Sequence, residues 1–309
     1  MWDVACLGEL FIDLTPHSCV DGQWLYAPSP GGAPGNVAVG LAKLGRKSLM
    51  ISRVGDEAFG RLVVDALQVY GVDTSGVMMS ADEKTGLSVV TLGAGGERSF
   101  MFYHDRPADL NMDAAHISSH VLKRCKVLHV GVLPLSAPRS AAAQRKAMTI
   151  ADAEGLLISC DVNFRPNLWS SSNDMLEAGR EILARAAIVK VSEEELRALD
   201  GSKDMDASVQ RFWHEGSRAF SVTRGDKGAV LYVPAGRFEC GGFAVNAVDT
   251  TGAGDAYTAS LLCSMLAGDD PAMMVRKACA AGALAATQKG AMESLPTAVE
   301  LAAFLSEQS

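Results

Sequence analysis

The seven residues Asp249-Thr250-Thr251-Gly252-Ala253-Gly254-Asp255 run straight into a stretch with Leu261, Leu262, Met265 and Leu266 at helical spacing. A glycine-rich turn that opens a helix leaves backbone N–H groups free at the positive end of the helix dipole, which makes it an anion site. Gly252 and Gly254 carry no Cβ, so a phosphate can approach the main chain closely, and Asp255 is then held in the first helical turn beside it. A carboxylate next to bound phosphate is repelled unless it serves a reaction, and removing the proton from an attacking hydroxyl is one such service. The purely structural alternative is an acidic residue that favours a helix N-terminus and two glycines that make a tight turn.

Other polar segments sit at comparable junctions. Gly31-Gly32-Ala33-Pro34-Gly35-Asn36 opens a helix with Val37, Leu41 and Leu44 on its buried side, and Asn36 either caps that helix or hydrogen-bonds a polyol. The apolar run Leu156 to Cys160 continues into Asp161-Val162-Asn163-Phe164-Arg165. Period-two alternation places Asp161, Asn163 and Arg165 on one side, at the carboxyl end of a strand where ligands gather in parallel sheets. Arg165 then holds a phosphate or makes a surface salt bridge. Ser192-Glu193-Glu194-Glu195 has the spacing of a capping box, in which Glu195 closes the cap, assists a water-coordinated magnesium, or does both. Val222 to Gly228 is a turn after a strand, suited to a plain hairpin or a nucleotide-lining loop.

Several familiar chemistries are excluded. The stretch from Gly40 to Ser48 resembles a P-loop but has one residue too many before its Lys and ends a helix rather than starting one. No G-x-G-x-x-G follows the first strand, which removes the usual basis for a nicotinamide oxidoreductase. H-E-x-x-H and G-x-S-x-G are both absent.

The elements that must position these residues alternate along the chain. Strands are expected at Val4 to Leu7, Ser48 to Arg53, Val127 to Val130, Leu157 to Asp161, Ala187 to Val191, Phe220 to Thr223 and Ala229 to Tyr232. Helical patterns cover Asn36 to Leu44, Phe59 to Tyr70, Arg139 to Ala153, Met205 to His214, Ala253 to Leu266 and Ala272 to Thr287. Such alternation builds an α/β fold with a mostly parallel sheet. Two segments break the rhythm, Phe11 to Pro30 with its three prolines and Leu87 to Tyr103 with a turn at Gly93-Ala94-Gly95-Gly96. Both read as strands of a small second sheet inserted at about 11–30 and 87–105 into one domain spanning 1–309.

Composition agrees with an ordinary globular protein whose expected partner is small. Among 309 residues, 28 Lys and Arg against 36 Asp and Glu leave a net charge of −8, and no basic run exists to grip nucleic acid. Seven scattered cysteines, never spaced C-x-x-C, read as reduced thiols in the cytoplasm rather than a disulfide frame or zinc site. No signal peptide is evident, and no apolar run reaches the ~20 residues that span a bilayer.

Taken in order, Gly8-Glu9-Leu10-Phe11-Ile12-Asp13, Gly31 to Ala38, Arg53-Val54-Gly55-Asp56, Asp161 to Arg165, Asp249 to Asp255 and Lys289 to Pro296 resemble the PfkB (ribokinase-like) family of sugar kinases over nearly the whole chain. Within it, Gly96 to Phe100 and Lys190 to Leu196 are most similar to fructokinases. The resemblance implies helices on both faces of the main sheet and a β lid that covers the sugar and often mediates a homodimer. It makes Asp255 the general base and the amides of Gly252, Ala253 and Gly254 the anion hole. Asp13, Gly31, Gly32 and Asn36, with Arg106 from the stretch where lid and substrate meet, would bind the sugar. Lys190, Ser192, Glu195, Thr223, Gly225, Gly228 and Cys279 would line the ATP side, with Asn163 and Arg165 near the phosphates and Mg²⁺. A monovalent cation, K⁺, would lie by Asp249, Thr251, Ala285, Gln288, Gly290 and Ser294, mostly on backbone oxygens. Departures are Ser192 and Cys279, where many relatives place Asn, Gly35 for the more usual Ala, and Tyr257 for Phe.

The reading is an ATP-dependent sugar kinase, with fructose as the expected acceptor and 2-keto-3-deoxygluconate, ribose or a riboside as alternatives. A catalytically silent sugar sensor on the same fold is the alternative of another class.

Overall fold

The computed structural model describes residues 1–21, 23–92, 98–103 and 106–308. The expected lid turn at 93–96, with His104 and Asp105, falls outside them. From the amino end the chain runs β1 (Val4–Leu7), β2 (Phe11–Val20), β3 (Gln23–Gly31), α1 (Ala33–Lys43), β4 (Ser48–Gly55), α2 (Ala58–Val69) and β5 (Asp73–Ser80). Next come β6 (Gly86–Leu92), β7 (Arg98–Tyr103), a single turn α3 (Ser119–Leu122), β8 (Val127–Gly131), α4 (Pro138–Glu154), β9 (Leu157–Asp161) and α5 (Ser172–Leu183). The chain then forms β10 (Ile188–Ser192), α6 (Glu193–Asp200), α7 (Met205–Phe212), β11 (Ala219–Thr223), β12 (Ala229–Val233) and β13 (Gly236–Cys240). Helices α8 (Ala253–Ala267), α9 (Pro271–Ala286) and α10 (Ala298–Glu307) close it.

Nine strands form one sheet in the order β13-β12-β11-β10-β9-β8-β1-β4-β5. It is parallel from β11 to β5 and antiparallel at β11/β12 and β12/β13. Strand β1 shows how the sequence builds two layers: Val4 and Cys6 face one apolar cluster with α1, α8 and α9, while Ala5 and Leu7 face the other with α4 and α5. This is the two-residue period of a strand buried on both faces, so its sequence is a continuous apolar run.

The small sheet has the order β3-β2-β6-β7. Asp13 pairs with Ser88, and Ser88 with Phe102, so these three share the face that looks toward the main sheet's carboxyl edge. On the opposite face Trp24, Tyr26, Met101 and Tyr103 are exposed.

Candidate active site

Gly252 is the N-cap of α8 at φ 80°, and a Cβ there would stand 2.9 Å from the Ala291 carbonyl oxygen. Both the backbone sign and the close approach require glycine. The amides of Gly252 and Gly254 meet no acceptor among the described residues, but the Ala253 amide donates to the Thr250 carbonyl at 3.2 Å. Of the three amides expected to form the anion hole, the turn that launches the helix engages the middle one, and the two glycine amides stay open. Lys43, on the last turn of α1, locks the neighbouring segment by donating to the carbonyls of Met292, Glu293 and Leu295 at 3.0, 2.9 and 2.7 Å. A lysine at a helix end has no sequence signature for such a clamp.

Asp255 lies in the first turn of α8, buried, and accepts a 2.7 Å hydrogen bond from Asn36 Nδ2. Helix α1 begins at Ala33 with Gly32 as its N-cap, so Asn36 is one turn inside the helix and the capping alternative is overturned. Gly32 has φ 113°, and a Cβ on it would fall 2.3 Å from the Glu9 carbonyl oxygen, so this turn too depends on glycine. Burial holds Asp255 above the usual carboxylate range, while the Asn36 hydrogen bond and the cations Lys190 and Arg165 pull it back.

These groups line one cavity of about 590 Å³. On the lid side it is walled by Phe11, Asp13 and Phe102, and on the other by Asn163, Arg165 and Lys190, with Gly252, Gly254 and Asp255 at its base. Asp13 accepts from Ser88 Oγ, which aims its carboxylate across the small sheet. Gly31 lies directly beneath it, since a Cβ there would be 3.1 Å from Asp13 Oδ2. Arg106 is exposed at φ 50° and does not line the cavity, so the sugar contact expected of it has no counterpart in this conformation. Strand β9 ends at Asp161 and Asn163 is left-handed at φ 41°, so the expected alternation stops short. Asn163 and Arg165 nonetheless reach the cavity from the loop, while Asp161 stays buried beneath it.

The other residues expected on the nucleotide side lie outside this cavity, most of them at the ends of neighbouring strands and Cys279 in α9. Ser192 caps α6 and pairs with Thr223 across β10/β11. Both oxygens of Glu195 are engaged, one by the Ser192 amide and one by the Phe164 amide, each at 2.8 Å. Glu195 thus closes the capping box and also ties down the Asn163–Arg165 loop. Gly225 and Gly228 have positive φ, and a Cβ on Gly228 would meet the Cys240 carbonyl oxygen at 2.1 Å. Cys279 is buried in α9 with its thiol against that of Cys240.

The expected cation residues converge behind the glycine turn. Asp249 Oδ1 accepts from the Thr251 amide and hydroxyl at 3.0 and 2.7 Å, and its Oδ2 accepts from the Gly290 amide at 3.1 Å. The Asp249 amide bonds the Ala286 carbonyl next to Ala285, and Gln288 turns back to Ala285. Ser294 is buried and donates to the Ala291 carbonyl at 3.2 Å. Among the described residues no group of three or more His, Cys, Asp or Glu could form a side-chain metal cage.

Residues 1–298 match the pfkB family carbohydrate kinases. The chain belongs to that family. The kinase is 38% identical to fructokinase-1 of Oryza sativa subsp. japonica, over 96% of each chain. Its fold matches the fructokinase of Xylella fastidiosa with bound ATP at a TM-score of 0.91 and 30% identity, covering 99% of this chain and 98% of that one. A doubly substituted fructokinase of Vibrio cholerae O395, in its fructose, ADP and potassium ion bound form, matches at a TM-score of 0.88 and 35% identity, covering 99% and 98%. The ribokinase-like α/β architecture expected from the sequence is thereby shown, with a large mostly parallel sheet and a separate small one.

Proposed function

We propose that this kinase transfers the γ-phosphoryl group of ATP to a hydroxyl of fructose, giving fructose 6-phosphate. The observation that carries the phosphoryl-transfer reading is the meeting, in one cavity, of a buried carboxylate with an amide-lined glycine turn at a helix N-terminus. Asp255 takes the proton of the attacking hydroxyl, the Gly252 and Gly254 amides receive the phosphoryl oxygens, and Lys190 and Arg165 supply positive charge nearby. Asp13 and Asn36 orient the sugar; Asn36 Oδ1, buried and without a protein partner, is an acceptor aimed at a ligand hydroxyl. The choice of fructose is supported by the names of the relatives above.

Asn163, on the cavity wall, and Glu195, bonded to the Phe164 amide beside it, would lie near Mg²⁺ bound with the nucleotide, which would supply charge neutralisation during transfer. K⁺ fits the loop of Asp249, Thr251, Gly290 and the Ala285 and Gln288 main chain, where oxygen donors gather beside the glycine turn. Thr223, Gly225 and Gly228 extend the nucleotide side along the strand ends, with Cys279 of α9 beside them. A second copy of the chain covers the lid's outer face, where the exposed Trp24, Tyr26, Met101 and Tyr103 all alternate away from Asp13. Seven free cysteines fit a reducing cytoplasm. Among the described residues no helix is long and apolar enough to cross a membrane.

The test is ADP release from ATP and Mg²⁺ with fructose, 2-keto-3-deoxygluconate, ribose and a riboside, with and without K⁺. The proposal expects fructose to give the highest kcat/KM. Preference for another acceptor reassigns the substrate, and sugar binding without ADP formation makes the protein a sensor.

A further inference from the structure

Lys190 stands in β10 directly opposite Asp161 of β9 in the parallel register. Ile188, two residues earlier, belongs to the cluster packed on α8, so the same face of β10 carries Lys190 beneath that helix. The lysine is 8% exposed and the aspartate 1%. An ammonium buried this deeply is costly unless it is paired and hydrogen-bonded. Its Nζ donates to Asp161 Oδ1 at 3.1 Å. The other oxygen, Oδ2, accepts from Thr258 Oγ1 at 3.1 Å, and the same hydroxyl lies 3.0 Å from the Gly254 carbonyl one turn back on α8. A Cβ on Gly254 would stand 3.1 Å from Lys190 Nζ, which puts the ammonium against the turn that receives the phosphoryl group.

We infer that Asp161 is a positioning residue that fixes the Lys190 ammonium against the first turn of α8, with Thr258 setting the carboxylate's orientation. This rests on the phosphoryl-transfer reading above. A carboxylate with one oxygen on the strand lysine and the other on the helix makes the spacing between ammonium and glycine amides a built distance. The burial that opposes the lysine's charge is outweighed by Asp161 and Glu195, so the ammonium stays protonated.

Asp161→Asn tests this, since the amide keeps the volume but removes the charge and one of the two acceptor oxygens that hold Lys190 and Thr258. The full-length variant should keep its thermal midpoint and its KM for ATP and sugar within about threefold, while kcat falls about 10- to 100-fold, as for a misplaced catalytic charge. Adding Asp161→Asn to Lys190→Met should cost nothing further, because one acts through the other. The ¹⁵N signal of the hydrogen-bonded Lys190 ammonium, assigned by its absence in Lys190→Met, should be lost in Asp161→Asn. An Asp161→Asn protein with kcat within twofold of wild type overturns the inference, as does multiplication of the two losses. If the wild type transfers phosphate to no sugar, the parent reading fails on that observation alone. The ammonium signal then decides: its persistence in Asp161→Asn contradicts the positioning role, and its loss supports it.

Discussion

Asn36 Nδ2 donates to Asp255 Oδ2 at 2.7 Å, joining two residues 219 apart in sequence and leaving Asn36 Oδ1 buried with no partner among the described residues. One amide thus holds the Asp255 carboxylate with its nitrogen, and on the proposed reading its oxygen would meet a sugar hydroxyl. Asp255 must be ionised to accept a proton, so activity is present above its pKa and lost as pH falls through it. Its pKa is raised by burial and restrained by Asn36, which bonds the charged form.

Asn36→Ala therefore moves the acidic limb of kcat/KM to higher pH, because burial remains and the restraint is gone. The sugar KM should also rise about 3- to 10-fold, the weight of one lost hydrogen bond. A pH-rate series for the two proteins checks this, and a limb that does not move contradicts the assignment of the limb to Asp255.

A second pair of carboxyls governs stability. Burial pushes Glu9 up to about 7 and Asp109 up to about 8, with Glu9 adding to the rise at Asp109. In the unfolded chain both ionise at about 4. Between that range and pH 7 to 8 the folded protein holds protons that the unfolded chain has released, so stability falls as pH rises through this window. The thermal midpoint should drop between pH 5 and pH 8.5, and Asp109→Asn should flatten the dependence. A wild-type midpoint that is level across the window would refute the protonated state of these groups.

The main sheet was legible because β1, β8, β9, β10 and β11 are short apolar runs bounded by turns, which is how strands buried on both faces must read. Strand β5 was not. Gly76 sits in its middle, where a Cβ would meet the Met50 carbonyl oxygen at 2.6 Å, and the register with β4 slips there, so neither alternation nor an apolar run survives. Strand β13 escaped for a related reason, since Gly236-Arg237-Phe238-Glu239-Cys240 at the sheet edge carries few apolar residues. At the site, the glycine turn and Asp255 were visible as a local motif. The Asn36–Asp255 bond and the parts of Lys43 and Thr258 were not, because each is defined by a partner more than 90 residues away. Arg106, expected at the sugar from the resemblance, is exposed and does not line the cavity, a placement that spacing does not encode.

The central claim is that Asp255 deprotonates the sugar hydroxyl while the glycine turn takes the phosphoryl group. The most direct measurement compares steady-state ADP release by wild type and Asp255→Asn with saturating fructose and MgATP, alongside calorimetric affinity for a non-hydrolysable ATP analogue. Turnover should fall by at least about 10²-fold, as for a lost general base, with nucleotide affinity within about threefold. Near-normal turnover by Asp255→Asn would contradict the account.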